Sequence, residues 1–366
     1  MEPSLFSGLL QNFRSSSGEE DGCSSSSYRL LQADAAATGG DGGAGGCCAE
    51  DVAGEEIVDL YYGEEGDPTG GVASQNPGLH NDSFVDHSVV EAGFSVGGVD
   101  VQLRQTPGDL RLAGVTGCVV WNGAVVLGAA MAHWSAERTL PLAGLRILEL
   151  GSGSGMLACV LGALVGEGGL VVSTEQEERL ALLRQNISAN ASGAISTAGG
   201  DDGEYNFTGG GIVRVRELDW FDIPGDGEGD DGGGGLLNEG EELDVILAAD
   251  VIYNEPVTLQ FVKALAHLCR HHTIAAAAAE GGRHDVDQGE SWYEEPPPLR
   301  RRSLPAIVCL ELRTQEIQSV FVEAVLSAGG RMWRLPLSAQ SEEARTRRVV
   351  TYLVDFSTKT ARSSHS

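Results

Sequence analysis

Lysine is nearly missing from this chain: Lys263 and Lys359 are the only two among 366 residues. Basic side chains number 24 in all against 53 acids, for a formal charge of −29. The excess is concentrated, because residues 1–92 hold 17 acids and 2 bases and residues 200–242 hold 13 acids and 2 bases. This placement argues against direct nucleic-acid binding, which would call for a basic face toward the phosphates. A basic protein partner is easier to accommodate; the plainer reading is that the acidic stretches only keep the chain in solution. The seven cysteines form no Cys-x-x-Cys and no Cys/His array at ligand spacing, which argues for a reducing compartment and against structural zinc or any other metal. No segment approaches the ~20 apolar residues of a membrane span, and Met1–Leu10 lacks the basic start and apolar stretch of a signal peptide. The expectation is a soluble, intracellular protein without a membrane partner.

What is present is organised around Leu145-Arg-Ile-Leu-Glu-Leu-Gly-Ser-Gly-Ser-Gly155. An apolar run that ends in three glycines and continues as Met156–Leu164 predicts a strand, a tight turn and a helix, the opening of a parallel α/β sheet. A Gly-x-Gly-x-Gly turn by itself is a weak signal. Two neighbours sharpen it. Met156 stands where a nicotinamide-binding fingerprint needs its last glycine, which disfavours a dehydrogenase. Glu149 lies inside the apolar strand, two residues before the first glycine. A carboxylate buried there needs a cationic partner, and the ammonium of S-adenosylmethionine would supply one. Glu175, at the end of the next apolar run, stands where an acid receives ribose hydroxyls.

Residues 1–88 are acidic and rich in Gly and Ser, a composition that predicts disorder. A β-hairpin extension is expected over 89–118, with strands on either side of Gly97-Gly98 and a turn at Thr106–Asp109. The main domain then runs from 119 to 356, with insertions at about 224–242 and 271–303, and a tail at 357–366. Its helices are expected at 119–131, 156–164, 177–190, 257–270 and 315–328, with a polar loop at 191–209. Its strands fall at 145–150, 170–174, 211–218, 243–249, 306–313, 331–337 and 348–356, Thr273–Ala279 being a rival for the fifth. Trp121 precedes the sheet and reads either as core packing or as a side chain closing over a ligand. Asp219 and Trp220, after the third strand, suit an adenine; they also read as a capping Asp beside a core Trp. Asp250 and Tyr253, after the fourth strand, fall where an open α/β sheet has its ligand crevice.

Val120-Trp-Asn-Gly-Ala, Glu149–Gly155, Glu175, Leu218-Asp-Trp220 and Asp250-Val-Ile-Tyr253, in that order, resemble the seven-β-strand protein methyltransferases with an Asp-x-x-Tyr motif. The resemblance spans roughly residues 85–356. It implies a doubly wound, seven-stranded Rossmann-like sheet with the N-terminal hairpin as an extension. It also implies S-adenosylmethionine as methyl donor and protein lysines as acceptors. By that resemblance Glu149, Gly151, Gly153 and Gly155 hold the methionine end, Glu175 the ribose, Asp219 and Trp220 the adenine, while Trp121 flanks the cofactor. Asp250 and Tyr253 line the acceptor channel. Glu311-Leu-Arg313 resembles the family's Glu-Lys-Arg, with Leu312 in place of the lysine. The substrate the resemblance implies is a protein, a nuclear nucleic-acid-binding one, placing the chain in the nucleus or cytoplasm. Its rivals are a small-molecule methyltransferase and a cofactor-binding scaffold without catalysis.

Overall fold

The computed structural model describes residues 29–31, 84–112, 114–195, 203–223, 235–238, 240–271, 304–335, 337–346 and 348–356. In chain order the strands are β1 (Arg29–Leu31), β2 (Glu91–Val96), β3 (Val99–Arg104), β4 (Arg146–Leu150), β5 (Leu170–Glu175), β6 (Gly193–Ile195), β7 (Glu204–Asn206), β8 (Ile212–Glu217), β9 (Val245–Ala249), β10 (Pro305–Glu311), β11 (Arg331–Arg334) and β12 (Val349–Asp355). The helices are α1 (Asn122–Ala136), α2 (Met156–Leu164), α3 (Glu177–Asn190), α4 (Glu255–His271) and α5 (Gln315–Ser327).

Ten strands form one sheet in the order β1-β11-β12-β10-β9-β4-β5-β8-β7-β6. The middle seven are those expected from the sequence. β8, β5, β4, β9 and β10 run parallel, and β12 is antiparallel to both β10 and β11. Runs such as Val245–Ala249 and Pro305–Glu311 have no polar face because both sides of a parallel sheet are covered. Hence Ile147 of β4 enters the core beneath α1, α2 and α3, whereas Leu148 and Leu150 enter the core beneath α4 and α5.

Three strands were not anticipated. The expected polar loop at 191–209 contains β6 and β7, which pair with each other and extend the sheet beyond β8. Strands of three residues each are too short to show an apolar alternation, which is why the pattern missed them. At the opposite edge β1, from the stretch expected to be disordered, pairs with β11; the rest of residues 1–83 lies outside the described residues. So do residues 272–303, including the rival strand at 273–279, and the 357–366 tail. Of the insertion at 224–242, residues 235–238 and 240–242 are described. Glu241 there bonds the buried Arg214 of β8 in a bidentate pair at 2.5 and 3.0 Å, while Glu204 of β7 takes the Arg214 Nε at 2.6 Å. The Arg214 hydrogen bonds pull the Glu241 carboxyl down to about 2.

The β2–β3 hairpin packs on α3 through backbone groups. Asn190 Oδ1 accepts from Gln102 N at 2.9 Å, and Asn186 Oδ1 from Arg104 N at 2.8 Å. Asn186 Nδ2 also donates to Ser154 O at 2.8 Å, tying the hairpin to the glycine turn.

Candidate active site

The sheet order reverses between β4 and β9, so a crevice opens beyond their carboxyl ends. A cavity of about 520 Å³ lies there. Its walls include Trp121, Glu149, Gly151, Gly153, Glu175, Asp219, Trp220, Asp250 and Tyr253, brought together from five separated stretches. Gly155 is the one expected site residue that does not line it. Its φ of 88° starts α2, and a Cβ at that position would fall 2.8 Å from Leu183 Cδ1. Gly155 therefore serves the fit of α2 against α3. Gly155→Ala should cost about 2 kcal/mol, from the left-handed backbone and the Leu183 contact, and thermal unfolding should show a melting point several degrees lower.

Glu149 forms the floor. Its side chain is 2% exposed, and no cation pairs with it among the described residues. Burial pushes its carboxyl up to about 7, against the opposing pull of the Ser152 and Ser173 hydroxyls and with the Glu175 charge adding to the rise. Ser173 Oγ lies 3.3 Å from Glu149 Oε2 and 2.7 Å from Ser152 Oγ, one proton for two acceptors. Glu175 accepts from Gly153 N at 2.8 Å and Gln176 N at 3.0 Å, and burial raises its carboxyl despite these bonds. On the next strand's loop, Asp219 accepts from Phe221 N at 2.9 Å and from Gln176 Nε2 at 3.0 Å. Trp220 packs edge-on to Phe261 at 5.1 Å. The capping Asp and core Trp of one sequence reading thus also face the cavity required by the other.

The far end is built differently. Asp250 has a positive φ of 55°. It accepts Gly123 N at 2.5 Å on Oδ2 and Glu311 N at 2.6 Å on Oδ1, joining the start of α1 to the end of β10. Burial lifts its carboxyl to about 6, against the two backbone donors. Tyr253 also lines this end. Trp121 donates Nε1–H to Thr116 O at 2.9 Å. Glu311, 8% exposed, holds Asn122 Nδ2 at 3.2 Å and Arg348 at 3.1 Å. Leu312 sits in the core beneath α4 and α5, so the departure from Glu-Lys-Arg there takes nothing from the cavity.

A lysine methyltransferase family profile matches residues 109–288. Mouse protein N-lysine methyltransferase METTL21A is 30% identical over 192 residues, covering 51% of this chain and 69% of that protein. The chain belongs to the lysine methyltransferase family. Its methyl donor is S-adenosylmethionine. Mouse protein-lysine N-methyltransferase EEF2KMT is 26% identical over 216 residues, 54% of this chain and 58% of that protein. Among solved structures, the fibrillarin pre-rRNA processing protein of Methanococcus jannaschii is similar at 12% identity and a TM-score of 0.36, over 72% of this chain and 91% of that one.

The methyltransferase's own residues fit the donor. A buried carboxylate with no counterion among the described residues suits an ammonium, and the glycine turn is closed from one side by a backbone approach that only glycine permits, since a Cβ on Gly117 would stand 3.2 Å from Gly153 Cα. Gly117 was not singled out from the sequence, nor were Ser152, Ser173 and Gln176. The serines carried a signal, since each adjoins a recognised motif. Gly117 carried none, because its role is a close approach across the fold.

Proposed function

We propose that the cavity holds S-adenosylmethionine along its Glu149-to-Trp220 length and admits the amine of a protein lysine at its Trp121–Asp250–Tyr253 end. The observation that carries this reading is Glu149, paired with no cation among the described residues, at the floor of a cavity whose other end presents a second buried carboxylate. In this reading Glu149 and the glycine turn hold the methionine end, Glu175 the ribose, and Asp219 with Trp220 the adenine. When bound, the cofactor supplies a sulfonium-activated methyl group.

The protein's task is then to position and neutralise the acceptor. A lysine of pKa ~10.4 must lose a proton, at a cost of about 4–5 kcal/mol at neutral pH. Asp250, ionised above about 6, faces the arriving ammonium with the lone pairs its backbone donors leave free. Tyr253 and Trp121 supply an aromatic wall that narrows access for water. The charge of −29 favours a basic protein substrate by long-range attraction. Gly209–Trp220 looks like the corresponding stretch of methyltransferase-like protein 22, which supports a nuclear, nucleic-acid-binding protein as that substrate and a nuclear or cytoplasmic site of action.

The test is incubation with methyl-labelled S-adenosylmethionine and a cell extract. A discrete protein band that yields methyllysine on hydrolysis, and is absent with Gly153→Arg, supports the reading. Label confined to small molecules would overturn it in favour of a small acceptor, and tight cofactor binding without transfer would favour a scaffold. Tyr253→Phe should lower transfer roughly tenfold if the hydroxyl meets the amine, while the melting temperature stays within about a degree because the substitution opens no cavity.

A further inference from the structure

Trp121 is held from three sides. Its indole N–H is bound to Thr116 O at 2.9 Å. The His87 ring sits 4.6 Å from it, centroid to centroid, tilted by 56°. The Arg313 guanidinium lies over the indole at 4.6 Å. His87 and Arg313 come from parts of the chain with no local connection: one from the stretch before the hairpin, the other from the turn after β10.

Each of these two residues is itself anchored. Residues 84–90 form a strap across the start of α1. Phe84 N donates to Asn122 Oδ1 at 2.9 Å, and His87 Nε2 lies 2.9 Å from Val120 O. A carbonyl only accepts, so that ring nitrogen carries the proton. The buried Gln105 fastens the strap from below, donating to Asp86 O and Val89 O and accepting from Val120 N. Arg313 stands 4.0 Å from Glu311, whose other oxygen holds Asn122 and Arg348. About a third of the Arg313 side chain is exposed, so its place is set by the ring beneath and the carboxylate beside it.

We propose that His87 and Arg313 are positioning residues that clamp the Trp121 indole as the fixed wall of the acceptor opening. The proposal rests on the reading above that the Trp121–Asp250 end receives the lysine. Trp121 directly precedes α1, and Gly123, two residues on, is bound to Asp250. A ring free to swing would widen the opening beside that carboxylate and lose the aligned approach that transfer requires. Neither clamp residue lines the cavity; His87 reaches it through Trp121, while Arg313 acts through Trp121 and also by its charge, which favours the ionised Asp250 carboxylate, a contribution that Arg313→Lys keeps and Arg313→Met removes.

The experiment labels the full chain with 5-fluorotryptophan. Five tryptophans are present, and Trp121→Phe identifies the Trp121 fluorine resonance. That resonance is expected to shift and broaden in His87→Ala and Arg313→Met, and to stay nearer its original position in Arg313→Lys, with the other four unmoved. In the extract assay the same two variants should show transfer lowered roughly two- to fivefold each, the scale of one cation–aromatic contact. The affinity for S-adenosylmethionine, which also verifies folding, should be unchanged. An unmoved Trp121 resonance would overturn the clamp, and a moved resonance with undiminished transfer would overturn its role toward the acceptor. Absence of methyllysine with the unsubstituted chain would instead remove the lysine-directed reading and the acceptor role with it, and the fluorine spectrum would still decide whether the clamp exists.

Discussion

Glu149→Gln is expected to lower the affinity for S-adenosylmethionine by at least about 100-fold, the scale of removing one partner of a buried ion pair, without destabilising the unliganded fold. Glutamine keeps the shape but cannot ionise. In the folded chain burial holds the Glu149 carboxyl near 7, above its ordinary 4.5. Between those values the folded state binds a proton that the unfolded state has released, so stability falls as pH rises from about 4.5 to 7. The loss is about 3 kcal/mol. Asp250, lifted to about 6 from an ordinary 3.8, works in the same direction. Thermal unfolding of the unliganded protein should therefore show a melting point that drops across this range, and a shallower drop in Glu149→Gln. Cofactor affinity should move oppositely. A cationic ligand selects the ionised carboxylate, so calorimetric titration should find tighter binding as pH passes through about 7, and no such slope in the variant. If Glu149→Gln bound the cofactor normally, the assignment of the cavity floor would be wrong.

Asp250→Ala should abolish detectable transfer, at least about 100-fold, and also destabilise the fold. Its two oxygens take backbone N–H groups from Gly123 and Glu311, at 2.5 and 2.6 Å. Removing them strands two buried donors at a cost of about 2–4 kcal/mol, roughly 5–10 °C in melting temperature for a domain of this size. Asp250→Asn is the informative companion. It offers an acceptor to one donor and sets an amide against the other, so it should destabilise nearly as much as alanine despite its matching shape. Assays well below the variants' melting points separate the two effects, because an Asp250 that only braced the fold would leave transfer intact in folded protein. In the unsubstituted chain transfer should decline as pH falls through about 6, where the carboxyl gains its proton.

The Glu149-to-Trp220 half of the cavity was legible because its parts are local. Glu149 announced itself as an acid in an apolar strand, and the glycines followed at once in a turn between that strand and α2. Within that turn Gly155 opens the helix and meets Leu183, whereas Gly117, 36 positions before Gly153 along the chain, is the glycine that approaches the turn from elsewhere in the fold. Edge strands β6 and β7 escaped because three residues each are too few to carry an alternating apolar pattern.

What the sequence alone determined was the parallel sheet, its crossover helices and the carboxylates at its strand ends, since hydropathy period and turn residues are written over neighbouring positions. What only the tertiary structure decided is how the Trp121–Asp250 end of the cavity is held. Asp250 is bound to main-chain N–H groups of residues 123 and 311, and Trp121 is held by His87 and Arg313. Every non-proline residue carries a backbone N–H, so no side-chain pattern marks the ones that Asp250 will meet. A ring held between two distant segments likewise leaves no periodic trace, because its geometry exists only once α1, β9 and β10 have packed together.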